Sequence, residues 1–331
     1  MKTKLNSSLF ALLACATFTF SSCKNETESV SSLANPSALG FAEIRKNALA
    51  NITLSKAFKA EDGLTFETDK RTKIRILPNC LRDNSGNVVT GDVELTFVEM
   101  YDRGNMTLTN KTLMGKNNNG DLVPLVTGGQ FNIDVTKGNQ KLISGCPFFV
   151  DIPATLTGGI DQDMKLWRGN IDEAGQLVWD EVKREATGQG KEAGINTNTE
   201  SATYQVWASE FGWTNVDRFY NDARPKTQIK VTVPAQYNMS NAAVHLSYEG
   251  ERNVLARLDT YDSVEKFFSE HYGYIPVGLN LHLIFTSESN GSLVYAIKKV
   301  TIVANGVINF SESDLKITSK DNLVNIINNL N

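Results

Sequence analysis

Beyond its N-terminus this chain has no apolar run approaching the ~20 residues that a membrane helix needs. Basic residues are neither abundant nor clustered. The 33 Lys and Arg are set against 37 Asp and Glu, for a net charge of −4. No stripe of positive charge is offered to a nucleic-acid backbone, which excludes that class of partner. Histidine is scarce, with three in the whole chain. No HExxH, CxxC or paired-histidine spacing suggests zinc, and no serine lies in a Gly-x-Ser-x-Gly elbow. His245 and His282 each sit between apolar neighbours and read as strand-face residues, leaving His271 in Ser269-Glu270-His271-Tyr272-Gly273 as the one a loop would expose. Glu94 and Glu99 are five apart, so a regular strand puts them on opposite faces, unlike a glycosidase pair. The reading is therefore not an enzyme: no catalytic residue, metal ligand or cofactor is assigned.

The N-terminus is the most informative stretch. Lys2 and Lys4 precede the uncharged run Leu9–Phe20, and Ser21-Ser22-Cys23 closes it. Basic, then apolar, then small is the order of a secretory signal peptide, here residues 1–22. The serines before Cys23 add a bacterial lipoprotein box, in which lipid is joined to the Cys23 thiol and Cys23 becomes the new N-terminus. Ala14-Cys15-Ala16 is the competing reading, an ordinary cleavage site giving a secreted protein. Residues 23–50 begin charged and continue small and polar, as a lipidated flexible tether would. With Cys15 removed and Cys23 acylated, Cys80 and Cys146 remain. In an oxidising envelope compartment they are candidates for a disulfide; the alternative is two buried, unpaired thiols.

From residue 51 onward, short apolar-patterned runs alternate with turn signals, the pattern of a mainly β protein. Val93, Leu95 and Phe97 oppose Glu94 and Thr96, and Phe131-Asn132-Ile133-Asp134-Val135 alternates strictly. Met164–Trp167 should pair with Gln176–Trp179 across the turn at Asp172. Asp83-Asn84-Ser85-Gly86-Asn87 is a turn, with calcium as the lesser reading because the bidentate glutamate is missing. Residues 187–201 lack any period and are expected as a surface loop. Asn221–Pro225 marks a boundary, giving two β-sandwich-like domains, 51–220 and 226–310, and a tail, 311–331, with a short helix capped by Ser319. Within the second domain a small helical insert is expected from Asp262, with Val264, Phe267 and Phe268 on its buried side, and Asn290-Gly291 is a hairpin turn.

Three stretches carry a resemblance. Lys73-Ile74-Arg75-Ile76-Leu77-Pro78-Asn79-Cys80-Leu81, Leu125-Val126-Thr127-Gly128-Gly129-Gln130-Phe131 and Phe211-Gly212-Trp213-Thr214-Asn215-Val216-Asp217-Arg218-Phe219 resemble a flavobacterial-type family of Bacteroidota envelope lipoproteins. The first stretch also looks like the start of a ZU5 domain. The resemblance implies an outer-membrane protein, lipid-anchored and periplasmic or surface-exposed, without enzymatic activity. It also makes Lys24-Asn25-Glu26-Thr27-Glu28 look like part of a surface-export signal and Asp262-Ser263-Val264 like an O-glycosylation motif, where an N-cap explains the aspartate equally well.

Four tryptophans, Trp167, Trp179, Trp207 and Trp213, fall in the later half of the first domain. Trp167 and Trp179 on paired strands fit core packing. Trp213, with Asp217 and Arg218 beside it, is the candidate ligand platform, although the two charged residues could equally form an interdomain ion pair. The expected function is a membrane-anchored binding, adhesion or scaffold module. Its expected partners are the lipid bilayer through Cys23 and an envelope protein or glycan. A carbohydrate-binding lipoprotein of a glycan-uptake system is the second reading, and an envelope hydrolase the third.

Overall fold

A computed structural model describes residues 33–172, 175–183 and 193–331. The signal segment and Cys23 lie outside them. Ala34–Asn331 forms one compact unit, and it is mainly β, with a short helix near its C-terminus. No helix among the described residues is long and apolar enough to cross a membrane.

The first β part is built from two sheets. The larger is eight-stranded and centres on Leu122–Lys137, flanked by Asp92–Met100 and Gly212–Phe219; the smaller is five-stranded and centres on Phe148–Pro153. Alternation decides which side of each strand is covered. Leu95, Phe97, Phe131 and Ile133 turn inward from the large sheet, and Ile74, Val150, Ile152, Tyr204 and Val206 from the small one. The sheets meet closely at Gly128-Gly129, where an added Cβ would come within 2.8 Å of the Tyr204 ring and within 2.6 Å of the Tyr101 ring. Gly129 also has φ +134°, a conformation that suits glycine. Trp167 and Trp179 are fully buried, as their paired strands suggested, and their indole N–H groups donate to the carbonyls of Asp217 and Thr112. Cys80 and Cys146 are joined in a disulfide with Cα atoms 5.4 Å apart, beside the two-stranded pairing of Leu81–Arg82 with Ile143–Ser144.

In the second β part, the long hairpin Asn280–Ser289 and Ser292–Thr301 turns at Asn290-Gly291, both with positive φ. Phe285 of this hairpin packs edge-on against Tyr237 and beside Phe310. Three helices then tie the compact unit together: α1 (Ala38–Asn51), α2 (Arg103–Thr109) and α3 (Lys320–Asn328). Ile44 and Ala48 of α1, Leu108 of α2, and Leu323 and Ile327 of α3 share one cluster with Ile284 and Leu293 of the hairpin. Gly104 lets α2 approach α3, since a Cβ there would lie 2.7 Å from the Val324 carbonyl oxygen. Arg103 is buried and donates to Ser247 Oγ at 2.5 Å and to the Leu330 carbonyl at 2.9 Å.

Three expectations need correction. The stretch 38–50, read as the end of a tether, is helical: Ser37 caps α1, and the backbone N–H of Ser37 donates to the buried Glu288 carboxylate. The helical insert at Asp262 is instead a β-hairpin of Thr260–Asp262 with Phe267–Ser269. Asp262 Oδ1 does accept from Val264 and Glu265 N–H, as a cap would, but Lys266 at φ 60° turns the chain back into a strand and leaves Val264 87% exposed. The expected loop at 187–201 contains the edge strand Gly194–Asn198, and its portion 187–192 lies outside the described residues. Apolar content is low there, so the strand has no hydrophobic period and is fixed by pairing with Thr203–Ala208.

Candidate functional site: a tryptophan-lined cleft

The outward side chains of the large sheet floor a cleft of about 850 Å³. Because Phe131, Ile133 and Val135 are drawn into the core, Asn132 and Asp134 must face out. Register then places Thr53, Val98, Asn132 and Trp213 side by side on neighbouring strands, with Thr96 opposite Asp134 in the next row. The walls come from Lys141–Ser144 and from Ser209–Gly212, and Leu49 of α1 closes one end. Gly169 makes room for the indole: a Cβ at that position would sit 2.6 Å from Trp213 Cβ.

Trp213 is half-buried, packed on one side against the core group that contains Val98 and Trp167. Lys111 Nζ stands 5.4 Å from its ring centroid, and burial lowers the pKa of that lysine. On the floor, Asn132 Nδ2 donates to Asp134 Oδ2 at 3.1 Å and Lys141 Nζ meets Asp134 Oδ1 at 3.0 Å. Glu210 on the wall is paired with Arg168. The result is an aromatic surface beside a fixed array of donors and acceptors, the composition of a site that orients a small polar ligand.

The three residues proposed together from sequence do not converge. Trp213 lines the cleft. Asp217 is fully buried further along the same strand, with Oδ2 accepting from Asn215 Nδ2 at 2.6 Å and Oδ1 lacking any partner among the described residues. Burial pushes its carboxyl well above the usual range. Arg218 is tied to Asp161, Nε to Oδ2 at 2.6 Å, so neither charged residue pairs with the other. The Asp83 turn closes on itself, its carboxylate accepting from Ser85 N–H, Asn87 N–H and Asn87 Nδ2.

His271 lies on a second cavity of about 510 Å³, with Asp259, Arg257, Ser240, Met239 and Tyr272. Its Nδ1 is 3.6 Å from Asp259 Oδ2, while the Ser240 hydroxyl donates to Asn238 Oδ1 at 2.6 Å. A histidine, an acid and a hydroxyl therefore share a cavity, but no hydrogen bond joins the imidazole to a serine among the described residues. Sequence reasoning missed Arg257, which is buried at 6% exposure and donates to Asn110 and Gln176 side-chain oxygens. Burial lowers its pKa to about 10. No local pattern in Leu255-Ala256-Arg257 signals this role. His245 and His282 are buried on strands, and burial lowers the pKa of both. Comparison with known proteins returns no matching family model and no matching curated sequence.

Proposed function

We propose that this chain is an envelope lipoprotein, anchored through acylated Cys23, that serves as a non-catalytic binding, adhesion or scaffold module with the Trp213 cleft as its contact site. The anchor rests on the basic–apolar–small order of residues 1–22 and on Ser21-Ser22-Cys23. The resemblance to Bacteroidota outer-membrane lipoproteins supports the same location. Two or three acyl chains at ~0.8 kcal/mol per buried methylene make such attachment effectively permanent.

The observation that carries the binding role is the half-buried indole at the base of a cleft whose polar floor is held by its own hydrogen bonds. A partly exposed aromatic ring in a rigid setting is a low-entropy contact for a partner. A photo-crosslinker placed at Ile143, on the cleft wall and 49% exposed, tests the role in cells of the source bacterium. A discrete adduct that disappears on Trp213→Ala is expected; an adduct indifferent to that substitution, or none, contradicts it. The carbohydrate-binding reading is favoured by Asn132, Asp134 and Lys141 beside the ring, a mixture that matches sugar hydroxyls. Loss of a glycan-array signal in Trp213→Ala would support it.

A further inference from the structure

The outer face of the five-stranded sheet holds a second aromatic surface. Cross-strand register sets Thr65, Arg75, Phe149, Trp207 and Gly194 abreast. Two residues along the strands, Glu67, Lys73, Asp151, Gln205 and Asn196 form a parallel row, about 7 Å away at the usual rise per residue. Ile74, Val150 and Val206, which lie between the rows, are buried in the core, so both rows are forced outward. All of them except Gly194 and Glu67 border an open depression of about 380 Å³.

Trp207 lies over Gly194. A Cβ on that glycine would collide with the indole Cζ2 and sit 2.9 Å from Cε2 and Cη2. The missing side chain therefore lets the ring rest against the edge strand, and the half-buried residue lines the depression. The Arg75 guanidinium stands 4.3 Å from the Phe149 ring centroid, but no aromatic ring or cation stacks on Trp207 among the described residues. The side chains of Asp151, Gln205 and Asn196 make no hydrogen bond or ion pair to the protein among the described residues. Charge across the two rows is balanced, Lys73 and Arg75 against Glu67 and Asp151, with Lys73 Nζ 3.7 Å from Glu67 Oε2.

We propose that this face binds a neutral glycan chain, with one pyranose ring stacked on Trp207 and its hydroxyls bonded to Asp151, Gln205 and Asn196. A pyranose has an apolar C–H face and a rim of hydroxyls that both donate and accept. The geometry offers the counterpart of each: a flat ring, then a row of uncommitted donors and acceptors. Balanced charge favours a neutral chain over an acidic one, and a shallow open sheet face admits a polymer passing across it. The inference deepens the reading of the chain as a non-catalytic binding module and rests on it, but it uses residues outside the Trp213 cleft.

The test is native affinity electrophoresis of the full-length acylated protein in detergent, with a mixed-linkage β-glucan, a mannan or a xylan in the gel. At least one polysaccharide should retard the wild type. Trp207→Ala should weaken that retardation by about tenfold or more, because the stacking surface is removed. Trp207→Phe should restore most of it, a paired Asp151→Ala/Gln205→Ala variant should weaken it several-fold, and Val264→Ser, at an exposed hairpin position that lines neither aromatic surface, should leave it unchanged. No retardation of the wild type by any of the three, or retardation indifferent to Trp207→Ala, overturns the proposal. Circular dichroism of Trp207→Ala, together with the paired polar variant, separates a lost contact from a lost fold. A polysaccharide held through Trp207 but recovered shortened would uphold the site while removing the non-catalytic reading.

Discussion

Asp217 shows how an interior carboxyl makes stability depend on pH. Unfolded, an aspartate ionises near pH 4. Folded, burial holds Asp217 protonated to much higher pH. Its contribution is therefore intact below about pH 4 and is lost as pH rises from there toward the raised folded value, since the unfolded state then releases a proton that the folded state retains. Asp217→Asn removes the ionisation while keeping the acceptor that Asn215 Nδ2 uses. Urea midpoints should agree for the two proteins near pH 4, and by pH 7 the variant should be the more stable, with a gap that widens as pH rises. Equal midpoints at pH 7 would mean that the carboxyl ionises freely in the folded chain. At this scale the sequence was legible where a residue's role follows from strand pairing. Trp167 and Trp179 were expected in the core as aromatics on paired strands and are fully buried. Adjacency misled at Asp217 and Arg218: neighbours on a strand face opposite ways, and a register shift between Val216 and Asp217 breaks the alternation that would otherwise set Trp213 and Asp217 on one face.

At the scale of elements, the Cys80–Cys146 bridge holds the short pairing that supplies Ile143 and Ser144 to the cleft wall. It closes a loop of sequence separation 66, for which the chain-entropy model gives up to ~4 kcal/mol. Cys80→Ser/Cys146→Ser should lower unfolding stability by an amount of that order, measured by guanidinium titration. Reductant should do the same to the wild type and nothing to the variant. Strands with one covered face, such as Asp92–Met100, and the cap at Ser319 could be read from local pattern, because burial and capping act within a few residues. The segment from Asp262 could not. Asp262 satisfies the same two backbone donors in a turn as it would at a helix start, and only Lys266, in a left-handed conformation, decides between them. Gly194–Asn198 was equally hidden, since an edge strand fixed by its neighbour needs no apolar period of its own.

For the molecule as a whole, the mainly β class was legible because turns punctuate nearly the entire chain. The helical clamp was not, because α1, α2 and α3 are brought together from positions far apart in sequence, with their shared cluster spanning Ile44 to Ile327. In the account proposed here, that single compact body is held at an envelope by the short stretch that follows Cys23, and its aromatic surfaces act as contact sites rather than as catalysts. Intact-mass and N-terminal peptide mass spectrometry of the mature protein from its native host tests the anchor directly. The account predicts a chain that begins at Cys23, carries acyl chains and enters the detergent phase on Triton X-114 partition. An unmodified N-terminus after another residue, with the protein left in the aqueous phase, would contradict it.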